Sequence, residues 1–232
     1  RLIVTSRAYR LASSAAKADG VEAVGYDSAS EIDPDNAFYW RANVRRLDAE
    51  AVRDSVLAVA GSLDRSRGGP DIDYAEGESV LRRSLYFRHA YEKQMRFLVL
   101  FDAASPNECY RRSESIVPQQ ALALVNSTLS ISQSRVLARS LTEEVGTGQD
   151  FDDAFLIAAF EQVLCRPPSH EERAACNEFL ESQSARLTAP DSLTTVANGA
   201  AVPVAASEEP AQRARENLVH VLMNHNDFVT VR

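Results

Sequence analysis

The sequence predicts a mainly α, multi-helix domain with at most one small β element around residues 84–88. Three observations carry that expectation. Val52, Val56, Val59 and Leu63 recur at spacings of 4, 3 and 4, an apolar stripe of helical period. Ser169-His170-Glu171-Glu172 has the form of a capping box, and Pro118 suits a first helical position. Only Ser84-Leu85-Tyr86-Phe87-Arg88, short and rich in aromatics, reads as a strand. The chain of 232 residues is 45% hydrophobic and 25% charged, which fits a globular protein and excludes a wholly disordered one. It is long enough to build a core without metal or disulfides. No apolar run approaches the roughly 20 residues of a membrane helix. The formal charge of −8 argues against general binding to nucleic acid or anionic lipid.

Taken in order, Leu2 to Ala16 read as one helix with no cap before it. The chain thus opens as if mid-helix, and an upstream part carrying any targeting signal is expected. Asp19 to Glu31, with Gly20 and Gly25, reads as a loop. Asp33-Pro34-Asp35-Asn36 reads as a helix start, followed by a short aromatic helix through Phe38, Tyr39 and Trp40. A helix from about Asp48 to Leu63 carries the valine stripe, and Gly68-Gly69-Pro70 breaks the chain before the acidic loop Asp71 to Glu78. Met95 to Phe101 fits a short helix or a buried strand equally. A polar loop, Asp102 to Glu114, leads to a long helical stretch from Pro118 that should bend or break near Asn126-Ser127-Thr128. Phe151 to Cys165 is a helix stopped by Pro167-Pro168, and the capping box starts another to about Leu187. Thr188 to Glu209, rich in Ala, Pro, Ser and Thr, reads as a linker, and Ala211 to Asn224 is the last helix. The expected organisation is a helical core over 1–187, a flexible loop or linker over 188–209, and a C-terminal helix over 210–232 that packs back on the core.

The three cysteines, Cys109, Cys165 and Cys176, are odd in number and lack C-x-x-C spacing. That excludes a disulfide framework, a zinc knuckle and a c-type haem attachment within this segment. Cys165 and Cys176 flank a helix–helix turn at unequal distances, which disfavours a bridge, and free, mostly buried thiols are expected.

Several segments together carry a family resemblance. They are Arg1-Leu2-Ile3-Val4-Thr5-Ser6 with Tyr9-Arg10, Asp33-Pro34-Asp35-Asn36 with Trp40-Arg41, and Arg45 to Glu50 with Val52-Arg53-Asp54. Further on come Arg67-Gly68-Gly69-Pro70, Arg82-Arg83-Ser84-Leu85-Tyr86, Phe101-Asp102, and Val117 to Leu124 with Asn126-Ser127. Arg166-Pro167-Pro168 and Leu222 to Phe228 complete the set. In these the chain resembles the C-terminal domain of unknown function of planctomycete cytochrome c-like multi-domain proteins. The resemblance implies an exported, extracytoplasmic protein whose upstream domains are this segment's partners and carry haem c, so that no cofactor is held here. It implies a structural or interaction role, or alternatively part of a polysaccharide-binding or polysaccharide-degrading protein with a site shared with upstream domains. It supplies no catalytic residues.

Four constellations remain as candidate chemistry. Glu50 and Asp54 would share a helix face with Arg46 one turn earlier; with Arg53 they read as a structural ion-pair network rather than as the paired carboxylates of a glycosidase. Arg111 and Arg112, after Cys109, could hold an acidic or sulfated glycan through guanidinium forks, or tie down nearby carbonyls and carboxylates. A lowered thiol pKa at Cys109 would still need a His base, and none of the four is near in sequence. Asp71, Asp73, Glu76 and Glu78 lack the spacing of a helix-loop-helix calcium site and read as a solvated loop. Met223 and His225 as haem ligands are the less natural reading of a helix end. No catalytic residue and no metal ligand is therefore assigned.

Overall fold

Helices dominate the computed structural model, which describes residues 2–6, 9, 11, 13, 26–108, 112, 115, 117–146, 151–189 and 202–231. The mainly α class predicted from the periodicity holds, with one small two-stranded sheet. The chain forms two compact units, Arg1–Leu47 with Val229–Arg232, and Asp48–Phe228.

In the first unit, α1 (Leu2–Thr5) and α2 (Tyr26–Ile32) precede β1 (Arg45–Arg46), which pairs antiparallel with β2 (Thr230–Val231). The α2 helix occupies part of the stretch read as a loop from Asp19 to Glu31; most of the rest of that stretch, like most of the helix expected beyond Thr5, lies outside the described residues. The expected aromatic helix after Asp33 is a hydrogen-bonded turn instead. The Asp33 carboxylate accepts from the N–H groups of Ala37 and Phe38 at 2.9 and 2.8 Å, and its carbonyl accepts from Trp40 Nε1. Asn36 and Tyr39 both have φ of 55°, a left-handed conformation that ends any helical run.

In the second unit the valine stripe forms α3 (Ala49–Val59), on which Val52, Val56 and Leu57 are fully buried. The ambiguous Met95 to Phe101 segment resolves as α4 (Arg96–Leu100), with Phe97 and Phe101 stacked at 4.8 Å. The expected break falls at Ser127 between α5 (Pro118–Asn126) and α6 (Thr128–Val145), where Ser127 has extended ψ and its hydroxyl accepts from Ser130 N. The α7 helix (Phe151–Leu164) is followed by α8 (His170–Thr188), whose Ser169–Glu172 capping box closes in both directions. The α9 helix (Pro210–Met223) lies along α6 and α8 and buries Ala214, Leu218, Val219, Leu222 and Met223. The linker read over 188–209 falls in part outside the described residues.

The strand expected at Ser84–Arg88 does not form. Ser84–Tyr86 is a single 3-10 turn, and Phe87 alone makes an isolated bridge to Ile72. The reason lies in the side chains around it: Asp54 takes the Ser84 N–H that a ladder would have used, at 2.8 Å.

Candidate functional site

The side chain that organises the second unit is Arg53, which has no solvent exposure. Its Nε donates to Gly77 O at 2.9 Å, Nη1 to Arg82 O at 2.9 Å and Ser84 Oγ at 3.3 Å, and Nη2 to Val80 O. Phe87 lies under the guanidinium, 4.7 Å from its ring centroid. The planar fork supplies donors to a stretch of chain that has no helix or sheet to satisfy its carbonyls. Burial draws the guanidinium down to about 10, opposed by Asp54 and Glu78, so it stays charged at neutral pH. Next to it, Asp54 Oδ1 accepts from both the N–H and the hydroxyl of Ser84, at 2.8 and 2.6 Å.

Two adjoining clefts open on the exposed side of this knot, sharing Ala51, Asp54 and Arg83. The first, of about 460 Å³, is lined among others by Asp48, Glu50, Arg88, His89 and Arg112. Here Arg112 holds Glu50 through both oxygens, Nη1–Oε2 at 2.8 Å and Nη2–Oε1 at 3.3 Å. Partial burial pushes the Glu50 carboxyl up, but the Arg112 hydrogen bond and charge outweigh it and leave the pKa below the ordinary value. The same bond raises Arg112. His89 Nε2 lies 2.7 Å from Ala104 O, which makes that nitrogen the donor. The second cleft, of about 540 Å³, is lined by Arg65, Arg67, Arg83, Tyr86 and the outer face of α3.

The sequence-predicted residues fall as follows. Glu50, Asp54 and Arg112 line one cleft, and Arg53 sits directly beneath it. Arg46 lies in β1, ahead of α3, so it is not one helical turn from Glu50. Arg111 and Cys109 lie outside the described residues. A general acid must exchange a proton during turnover, yet both Glu50 oxygens are clamped by Arg112, and Asp54 is held by Ser84 with Arg83 Nε at 3.8 Å. The arrangement orders the chain, with Glu50 and Asp54 both engaged by partners of the fold. In the acidic loop, Asp71 pairs with Arg88, Asp73 caps a 3-10 turn through Ala75 N, and Glu78 accepts from the N–H and hydroxyl of Thr128. Among the described residues no group of three or more His, Cys, Asp or Glu side chains is placed to hold a metal ion.

The model of a family described as PSD1, a protein of unknown function (DUF1553), matches residues 1–180. The chain belongs to the PSD1 family. No curated protein and no solved structure matches it. In this PSD1 chain several of the quoted segments of the second unit meet one another in space. Arg82 Nη2 donates to Ser66 O and Gly68 O, its guanidinium stacks 4.1 Å over Tyr86, and Tyr86 Oη accepts from Gly68 N. The chain can follow Arg82 this closely because Gly68 and Gly69 take φ of 77° and 98°. Asp102 accepts from Ser115 N at 2.8 Å and from Gln120 Nε2 at 3.2 Å, and Arg166 bridges Glu172 and the nearly buried Asp227.

One further expectation, that of mostly buried thiols, needs amendment. Cys165 is exposed, not buried, and sits in a left-handed turn at φ 56°; Cys176 is half-buried, and both thiols are free. Met223 is wholly buried in the core, while the His225 side chain is largely at the surface and accepts from Asp227 N. Sequence reasoning missed Arg65, Arg67 and His89 as cleft residues. Arg65 and Arg67 stand two apart before the double glycine, and that arrangement was the one available signal.

Proposed function

We propose that this PSD1 segment is a non-catalytic packing and interaction domain that closes a larger, exported cytochrome c-like protein and docks against that protein's upstream domains. Haem c, in this reading, is carried by those domains and not by this one. The observation that supports it is the surface of the first unit, where Leu2, Ile3, Ile32, Phe38 and Tyr39 are all more than 70% exposed. Isolated exposed apolar residues are ordinary, but so many large ones on so small a unit mark an interaction surface. The carboxylates best placed for catalysis are meanwhile consumed by structural partners.

The test is hydrogen exchange on the isolated chain and on the full-length protein. Residues 26–44 should exchange more slowly in the full-length protein, and Phe38→Ser with Tyr39→Ser should abolish that protection without unfolding the second unit. Equal exchange in the two forms would refute the docking role.

A further inference from the structure

The arginines of the second unit divide into two kinds. Arg53, Arg82, Arg88 and Arg112 are each committed to backbone carbonyls or carboxylates. Arg65 and Arg67 are exposed, line the 540 Å³ cleft, and make no hydrogen bond or ion pair among the described residues. Arg83 joins them, held only by a 3.8 Å approach to Asp54. Asp54 is the one carboxylate in this lining, and its Oδ1 is already taken by Ser84.

The backbone that presents these arginines is held in place. Between them, Ser66 gives its carbonyl to Arg82 and its N–H and hydroxyl to Asp64. After them, Gly68 is bonded at its carbonyl by Arg82 and at its N–H by Tyr86. A pinned backbone fixes where these side chains start, and their unspent guanidinium groups are suited to an oxyanion.

The adjoining cleft limits the rest of the ligand. It shares Arg83 with the basic cleft, but its acidic groups (Asp48, Glu50, Asp54) balance its arginines (Arg83, Arg88, Arg112) and Arg112 is already spent on Glu50, so it offers no surplus positive charge to a second anion. Its exposed His89, whose Nε2 donates to Ala104 O, keeps Nδ1 as an acceptor suited to a hydroxyl. A long polyanion such as nucleic acid fits neither this polarity nor the chain's formal charge of −8.

We propose that Arg65, Arg67 and Arg83 form the anion-binding end of a groove for a singly charged, hydroxyl-rich ligand of the uronic-acid or sugar-sulfate class. The inference stands apart from the docking role: a chain that docks yet binds no acidic sugar overturns only this one.

The test is binding to the purified chain, followed by NMR and calorimetry, with glucuronate, glucose 6-sulfate, glucose, inorganic sulfate and a DNA duplex as probes. Both acidic sugars should bind, perturbing resonances of residues 63–86, and should bind at least tenfold more tightly than glucose or inorganic sulfate. Arg65→Gln with Arg67→Gln should melt like the parent, since neither side chain has a partner among the described residues, and should lose the acidic sugars by tenfold or more. Arg65→Glu alone should weaken them as well. Binding unaltered in these variants, no binding at all, equal affinity for inorganic sulfate, or tighter binding of DNA would each overturn the proposal.

Discussion

Two buried charges of opposite sign, Arg53 and Glu216, show two uses of the same expensive device. Arg53 serves irregular chain. Its donors go to the carbonyls of Gly77, Val80 and Arg82, groups with no secondary structure to satisfy them. Glu216 serves the α6–α9 helix interface, where it is 2% exposed and accepts from Arg139 at 2.9 Å and Ser207 N at 3.0 Å, with Arg135 Nε at 3.9 Å. Helix backbones satisfy themselves, and Glu216 reaches the irregular stretch before α9 through one N–H, that of Ser207, and otherwise only indirectly, through Arg135 and Arg139, which donate to Val204 O and Ala205 O. It meets side chains that reach toward solvent: the Arg139 side chain is 41% exposed. Around it the seam is polar and incompletely paired, with Gln212 Nε2, His220 Nε2 and Gln133 Oε1 buried and without partners among the described residues. A charge that bonds several carbonyls of irregular chain directly should therefore matter more than one that acts mainly through side chains that can turn to water.

That difference is open to direct measurement. Arg53→Ala leaves several carbonyls without donors and should cost about 3–5 kcal/mol in urea unfolding. Arg53→Lys should lose nearly as much, because one ammonium cannot span the carbonyls that a fork reaches. A lysine variant of parental stability would break the comparison. Glu216→Ala should cost less, about 1–3 kcal/mol by the same measurement, because Arg139 can turn to water once its partner is gone. An equal loss at the two sites would show that the helix seam depends on its charge as strongly as the loop does.

The smallest effect is a pH dependence of the seam. Burial holds His220 below its ordinary value of 6.5, and Arg135 pushes the same way, against a hydrogen bond to the Leu124 carbonyl. The unfolded chain thus binds the proton more readily than the folded one. Stability from this site is complete above about pH 6.5 and declines as the pH falls below it. The melting temperature should drop between about pH 7 and about pH 5.5, and His220→Gln should flatten that drop. Parallel curves for the two proteins would remove His220 from the account.

The periodic and capped elements were legible in the residues alone. The Val52–Val56 stripe, the Ser169–Glu172 capping box and the break at Ser127 each depend on neighbours within a turn or two, and each forms as read. Ser84–Arg88 and Asp33–Trp40 were misread for a common reason. In both, a carboxylate captures backbone N–H groups: Asp54 from thirty residues away, Asp33 from its own turn. Propensity carries no information about where a distant carboxylate will arrive.

The candidate site divides along the same line. From sequence, Glu50, Asp54 and Arg112 stood out as charged groups, and Arg53 as part of a network, because residue type and spacing suffice for that. Which cation meets which anion was decided only by the fold. Glu50 pairs with Arg112, sixty-two residues away. Arg82 is spent on carbonyls while Arg65 and Arg67 are left unspent at a cleft wall. Helix formation is a local competition between backbone hydrogen bonds and a few neighbouring side chains, so a sequence determines it within a short window. Pairing between distant charges depends on loop closure and on which groups burial strips of water, and those are properties of the assembled chain.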